Sequence, residues 1–410
     1  MEVSKKRLNG QVKISGAKNS SLRLLAASLL TDKKIILENY PSQLLDVKVH
    51  EGMLKVLGKE IVHLSPDSVH IIETQNNAIT DLIWNERSIR NTLLILGALT
   101  TRFGKGKVPL PGGCKLGERK YDLHVLALET LGAKVWEEDG FLCAEAKNGR
   151  LEGSVINLPM RSTGATENSI LMGVLASGKT RIYNPHIRPE IIDLINMLNK
   201  MGAKIKVFGQ RSIEIVGVDF LNGVTHSVIP DNMEALTWAI GSVVTGGDVE
   251  ILNFPFEHLE VPLIYLRESG MNFFKGENSL IVRGGKPFPI EISTGPYPGI
   301  NSDMQPLFAV YGAMSQGVSK VIDLRFPGRY GYAEELSKMG LNYNVKGDML
   351  EIIGGTPFKG GVNVKALDLR AGMALLLAGL TCEEPIIIED DWQILRGYEN
   401  LDMKLKKLTS

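Results

Sequence analysis

Five glycines, Gly58, Gly132, Gly202, Gly270 and Gly340, stand 74, 70, 68 and 70 residues apart, and each closes the same local pattern. A helix end precedes the glycine and a strand follows it, as in Leu57-Gly58-Lys59-Glu60-Ile61 and Met201-Gly202-Ala203-Lys204-Ile205. Glycine suits the left-handed position that ends a helix, and the β-branched or aromatic residue after it suits a strand. A second signature keeps the same register, a helix ending in a polar turn before a β-branched strand. It appears at Thr31 to Leu37, Ser177 to Tyr183, Thr245 to Ile251, Ser315 to Val321 and Thr381 to Ile387. A third is a hairpin strand, at Ser212 to Val218, Ser279 to Gly285 and Met349 to Gly355. Each unit of about 70 residues therefore reads strand, helix, strand, helix, hairpin, and six such units make two domains of three. The segments Asn19 to Leu30, Thr166 to Ala176 and Leu369 to Leu380 are apolar nearly all round, which predicts central, buried helices.

The chain has 410 residues, too many for one ordinary core, so two domains are also expected on size. Lys+Arg and Asp+Glu are both 46, so the net charge is zero. Bulk attraction to nucleic acid or to an anionic membrane is not expected, and any anion must be met by a local cluster of cations. The apolar run Leu93 to Leu99 is too short to span a bilayer, and Met1 to Gly10 has no apolar core of a signal peptide. Three cysteines, Cys114, Cys143 and Cys382, stand far apart, which points to a reducing cytosol and not to a disulfide or zinc scaffold. The seven histidines form no HxxxH, and GxGxxG, P-loop and GxSxG signatures are absent, so no metal or cofactor is expected.

Four strings are candidates for chemistry. In Ser15-Gly16-Ala17-Lys18-Asn19-Ser20, a lysine and an amide stand before an apolar helix, with Asn19 or Ser20 as candidate caps. A cation at a helix N-terminus gains nothing from the dipole but suits a bound anion; the bland alternative is a solvated loop lysine. In Pro111 to Arg119, three glycines, Cys114, Lys115 and Arg119 suggest an exposed thiol whose pKa nearby cations lower. Cys143 and Cys382 read as small buried hydrophobes. Arg329, Arg370 and Arg396 present forks suited to carboxylate or phosphate, although each alone is more often a structural ion pair. Asp303 enters a helix in Asn301-Ser302-Asp303-Met304-Gln305, either as a functional acid or as a plain cap.

Together these strings resemble the UDP-N-acetylglucosamine enolpyruvyl transferases, relatives of the shikimate-pathway enolpyruvyl transferase. The resemblance rests on SGAKN at Ser15 to Asn19, LPGGC at Leu110 to Cys114 and LGERKYDLH at Leu116 to His124. It continues in STGATEN at Ser162 to Asn168, PEIIDLINMLNKMGAK at Pro189 to Lys204 and SDMQ at Ser302 to Gln305. DLRAGMALLLAG at Asp368 to Gly379 and RGYENLDMKL at Arg396 to Leu405 complete it. It implies an α/β fold of two inverse α/β barrels, each of three βαβαββ repeats. One domain would be residues 19–225, and the other 1–18 with 226–410. It further implies a site in the cleft between them, closed by the Cys114 loop, and transfer of enolpyruvate from phosphoenolpyruvate to a hydroxyl of a uridine nucleotide. By the same resemblance Lys18, Arg119 and Arg396 would hold the phosphate, and Arg329 and Arg370 the carboxylate. Asp303 would take the hydroxyl proton, and Cys114 would act as acid or covalent partner. Asn19, Arg90, Arg119, Tyr121, Asp122, Leu123, Arg161, Ser162, Thr163, Gly164 and Asp303 would meet the acceptor.

The acceptor half departs from the family pattern. Arg119-Lys120-Tyr121-Asp122 stands for Arg-Pro-Val-Asp, Met160 for a lysine next to Arg161, and Ser20-Ser21-Leu22-Arg23 for Ala-Ala-Leu-Pro. Asn232 and Leu236 depart within Pro230 to Thr237. Three readings follow: the cell-wall enzyme acting on UDP-N-acetylglucosamine, a paralogue using another nucleotide such as UMP, or a non-catalytic relative.

Overall fold

The computed structural model describes residues 1–74, 79–87, 89–111 and 121–409. The chain forms two compact units, one of Met1–Ser15 with Pro230–Ser410 and one of Gly16–Ile229. Each has its own hydrophobic core.

Each unit carries three small sheets. In Gly16–Ile229, Val155–Asn157 runs parallel to Lys179–Tyr183, which pairs antiparallel with Ser212–Val216, which pairs with Lys204–Phe208. The same order recurs with Val224–Ser227, Ile35–Glu38, Ser68–Glu73 and Lys59–Ser65. The third sheet is Lys105–Pro109, Phe141–Ala146 and Ala133–Glu138. In the other unit the order appears in Glu291–Ser293, Val318–Ile322, Met349–Ile353 and Asn342–Lys346. It appears again in Asn9–Lys13, Asp248–Leu252, Ser279–Gly285 and Met271–Lys275. Its third sheet joins Asn363–Lys365, Ile386–Glu389 and the N-terminal Glu2–Val3. One parallel pair followed by a hairpin is the βαβαββ repeat read from the sequence. The first and fourth repeats exchange their leading strands: Asn9–Lys13 pairs with Asp248–Leu252, and Val224–Ser227 pairs with Ile35–Glu38.

The five marker glycines all hold positive φ, from +86° at Gly58 to +104° at Gly202. In that region a Cβ would be strained, so the spacing records a backbone requirement repeated in space.

Three inner helices fill each unit. Lys18–Ala27, Thr92–Phe103 and Thr163–Gly173 pack in one. Asn232–Val244, Gln305–Ala313 and Leu369–Gly379 pack in the other, and every residue of these three is buried. The uniform apolarity of Leu369 to Leu380 is thus the mark of a helix with no solvent face. Outer helices such as Pro189–Lys200 keep charged residues on the water side, at Lys200 for example. Lys18, Thr163, Asp303 and Arg370 all lie within the first turn of such a helix or immediately before it. Among the described residues, no helix is long and apolar enough to cross a membrane.

Candidate functional site

In the unit of Met1–Ser15 with Pro230–Ser410, the candidate residues form one charged network. Asn301 caps the short 3₁₀ turn Ser302–Met304 by accepting from the Asp303 amide at 3.1 Å. That leaves the Asp303 carboxylate for Arg329, whose Nη1 donates to Oδ1 at 2.9 Å, so Asp303 is not the cap. Arg329 Nη2 donates to Asp368 Oδ2 at 3.1 Å. Asp368 in turn caps helix Leu369–Gly379, its Oδ1 accepting from the amides of Arg370 at 2.7 Å and Ala371 at 2.9 Å. Burial works against the charge on Arg329, but the carboxylates of Asp303 and Asp368 outweigh it and raise its pKa.

Arg370 is different. It is 1% exposed, yet its Nε and Nη1 have no hydrogen-bond acceptor among the described residues. The nearest carboxylate oxygen to Nε, Asp303 Oδ2, stands 3.8 Å away, and the guanidinium lies 5.5 Å from the Tyr398 ring centre. A buried cation with unfilled donors is costly unless an anion completes it. Arg396 ends the 3₁₀ helix Asp391–Arg396, with Nη1 on Gln393 Oε1 at 3.0 Å. The next residue, Gly397, lies so close that a Cβ there would come within 3.6 Å of Arg370 Nη1. The turn carrying Arg396 is therefore packed against Arg370.

The network is braced from below by Asp323, a fully buried residue that the sequence reading did not single out. Its carboxyl group accepts from Ser302 Oγ at 2.6 Å, Gln305 Nε2 at 2.5 Å and Thr294 Oγ1 at 2.7 Å. It also accepts from the amides of Arg325 at 2.9 Å and Phe326 at 3.0 Å. One side chain thus ties the turn before Asp303 to the loop before Arg329. Asp368 had a legible signal, an acid ahead of an apolar run. Asp323 had none, because its side-chain partners Thr294, Ser302 and Gln305 stand 18 to 29 residues away along the chain.

In Gly16–Ile229, Lys18 is the first residue of helix Lys18–Ala27, and its ammonium meets Asp46 Oδ2 at 2.7 Å. The cation that the sequence could justify only by a bound anion therefore has a buried protein partner. Neither Asn19 nor Ser20 caps this helix: the N-cap position is Ala17, with no side-chain bond, and Ser20 Oγ donates to Asp193 instead. Arg23 reaches back to the Asn19 carbonyl and pairs with Glu167. Glu167 is buried, and burial pushes its pKa up against the pull of Arg23. For neighbouring Glu190 burial acts the same way, but Arg188, at 2.8 Å, and Arg23 outweigh it and lower the pKa.

Ser162 caps helix Thr163–Gly173, accepting from the Ala165 amide at a long 3.4 Å. Thr163 Oγ1 lies 2.8 Å from His186 Nδ1. Arg161 Nε is 3.4 Å from Asn184 Oδ1, and Met160 is 45% exposed. Tyr121 precedes helix Asp122–Thr130 and donates to Glu137, the bond that chiefly raises its pKa. Asp122 is exposed and Leu123 half-buried, while Arg90 contributes positive charge near His124. Of the departures, Leu236 is wholly buried in the core of the other unit, next to Asn232 at the start of its helix. Cys114, Arg119 and Lys120 lie outside the described residues. Cys143 and Cys382 are buried, and burial raises both thiol pKa values, that of Cys382 to about 11. No metal-binding cluster occurs among the described residues.

In the unit of Met1–Ser15 with Pro230–Ser410, Arg329 and Arg370 can hold an anionic group, and Asp303 can exchange a proton beside them. A family profile described as EPSP synthase (3-phosphoshikimate 1-carboxyvinyltransferase) matches residues 3–405. UDP-N-acetylglucosamine 1-carboxyvinyltransferase 1 of Carboxydothermus hydrogenoformans is 42% identical over 401 residues, 97% of this chain and 93% of that protein. The enzyme named UDP-N-acetylglucosamine 1-carboxyvinyltransferase from Finegoldia magna is 39% identical over 412 residues, 98% of this chain and 96% of its own length. The crystal structure of the enolpyruvyl transferase NikO from Streptomyces tendae superposes with a TM-score of 0.89 at 24% identity, covering 99% of this chain and 96% of that one. EPSP synthase from Acinetobacter baumannii superposes with a TM-score of 0.75 at 18% identity, covering 100% and 98%. Both structures share the fold of two inverse α/β barrels found here.

Proposed function

The chain belongs to the enolpyruvyl (1-carboxyvinyl) transferase family, and on that premise we propose that it moves enolpyruvate from phosphoenolpyruvate to the 3-hydroxyl of UDP-N-acetylglucosamine, in the cytoplasm, for peptidoglycan precursor synthesis. The acceptor hydroxyl adds to C2 of phosphoenolpyruvate while C3 gains a proton. Inorganic phosphate then leaves C2 of the tetrahedral intermediate as the C3 methyl gives up a proton, which restores the double bond. The single observation that carries the reading is Arg370, a buried guanidinium with two unfilled nitrogens beside Asp303. It suits the carboxylate of phosphoenolpyruvate, with Arg329 as its neighbour. Lys18, Arg119 and Arg396 take the phosphate, Asp303 takes the hydroxyl proton, and Cys114 serves as acid or covalent partner. Asn19 and Arg90 meet the acceptor, with Arg119, Tyr121, Asp122, Leu123 and the segment Arg161 to Gly164.

The test is phosphate release from phosphoenolpyruvate with UDP-N-acetylglucosamine, UDP and UMP supplied singly. Turnover with the sugar nucleotide at a micromolar KM is the expected result. Turnover with UMP alone would transfer the assignment to the paralogue reading. Tyr121, and Met160 in place of a lysine, are what keep that reading open. No turnover with any acceptor would leave the non-catalytic reading standing.

A second expectation concerns the thiols. An epoxide phosphonate such as fosfomycin should alkylate Cys114 at pH 8, with protection by the substrates. Cys143 and Cys382 are both held protonated, because their pKa values are raised and lie above that pH. Only the thiolate reacts, so mass mapping of the adduct to Cys143 or Cys382 would refute the assignment.

A further inference from the structure

Arg23 has been given no role so far. It stands one turn after Asn19 in helix Lys18–Ala27, and its side chain runs back toward the start of that helix, as helical side chains do. Its Nη1 donates to the Asn19 carbonyl and its Nε to Glu167. Glu167 belongs to helix Thr163–Gly173, whose start lies in the segment Arg161 to Gly164. One guanidinium therefore joins two helices of the unit Gly16–Ile229, the one that carries Lys18 and Asn19 and the one that begins at that segment.

The joint is enclosed. The Arg23 and Glu167 side chains are 12% and 3% exposed, and Arg188 and Glu190, at the head of helix Pro189–Lys200, lie beside them. Arg188 donates to Glu190 twice, at 2.8 and 3.0 Å. Both arginines act on both carboxylates, so four charges of zero sum meet where three helices converge. Such a cluster is a poor source of stability, because enclosing each charge costs about as much as pairing returns. Its best-attested use is registry: a buried polar pair accepts one arrangement of its helices and penalises the others. Arg23 is also one of the departures from the family pattern, which has proline there, and proline has no side-chain donor. The tie from Asn19 to helix Thr163–Gly173 thus comes with this departure. Lys18 has a separate anchor, Asp46 at 2.7 Å.

We propose that Arg23 is a positioning residue for acceptor binding, which holds Asn19 in register with the segment Arg161 to Gly164 so that one acceptor can reach both. The inference rests on the nucleotide-acceptor reading above, which places Asn19 and that segment against the acceptor. It adds a residue that acts on the acceptor through Asn19.

Steady-state kinetics of the full chain test it, in the natural protein, in Arg23→Met and in the double variant Arg23→Met with Glu167→Gln, each paired with urea unfolding. Arg23→Met removes both bonds and leaves the Glu167 carboxylate buried without Arg23, so its unfolding midpoint should fall. The double variant removes that carboxylate charge as well and should regain most of the midpoint. If Arg23→Met alone does not fold, the double variant carries the comparison. In both variants the KM for UDP-N-acetylglucosamine, or for whichever of UDP and UMP the natural protein turns over, should rise on the order of 10-fold, the size of one hydrogen bond to a charged group. The KM for phosphoenolpyruvate should stay unchanged. An acceptor KM that follows the midpoint and recovers in the double variant would make the cluster purely structural and overturn the proposal. An acceptor KM equal to the natural one in Arg23→Met would do the same. Failure of the natural protein to release phosphate with any of the three nucleotides would remove the acceptor reading itself, and this inference with it.

Discussion

Replacing Arg370 with methionine should lower kcat/KM for phosphoenolpyruvate on the order of 10²–10³, the usual cost of one charge-matched donor in a closed site. The same variant should unfold at a urea concentration equal to or above that of the natural protein. The two halves of the expectation have one cause. Arg370 is buried with Nε and Nη1 lacking acceptors among the described residues, so in the ligand-free protein those two donors carry an unanswered desolvation cost. Burial opposes its charge, but Tyr398, whose ring centre is 5.5 Å away, and Asp303, at 3.8 Å, outweigh it and raise its pKa, so the guanidinium stays charged while two of its donors remain unfilled. Methionine fills similar volume without that penalty, as when buried ion pairs are exchanged for apolar side chains. Parallel loss of activity and stability would mean that Arg370 is a structural strut and that its unfilled donors are not reserved for substrate.

Asp323→Ala should act in the opposite sense on stability. It leaves five donors facing an apolar cavity: Ser302 Oγ, Gln305 Nε2, Thr294 Oγ1 and the amides of Arg325 and Phe326. Buried unsatisfied donors cost ~1–3 kcal/mol each, and partial relaxation limits the sum, so a loss of about 4 kcal/mol by urea unfolding is expected. Activity measured where the variant remains folded should also fall, because the turn of Asp303 and the loop of Arg329 lose their common anchor. Asp323→Asn keeps acceptor capacity on one oxygen only and should lie between the two. A stability change under 1 kcal/mol in the alanine variant would show that water replaces the carboxyl and that the bracing is not needed.

Much of the architecture could be read from local chemistry alone. The five glycines announced six repeats because each needs a left-handed backbone position, and all five hold one, from +86° to +104°. The inner helices were legible because an element without a solvent face carries no polar stripe, as in Leu369–Gly379. The arginines and Asp303 were legible as types, since a charge ahead of a buried helix must be answered by something. What answers each one was not. Lys18 meets Asp46 in the next helix, Arg329 bridges Asp303 and Asp368, and Arg370 is left short of acceptors. Asp323 was equally invisible, because hydrogen-bond partners are chosen by which segments the packed repeats bring within 3 Å. Sequence periodicity sets the elements and their order, since those depend on neighbours along the chain. Which cation is neutralised and which stays open for an anion depends on neighbours in space, and only the packed units decide that.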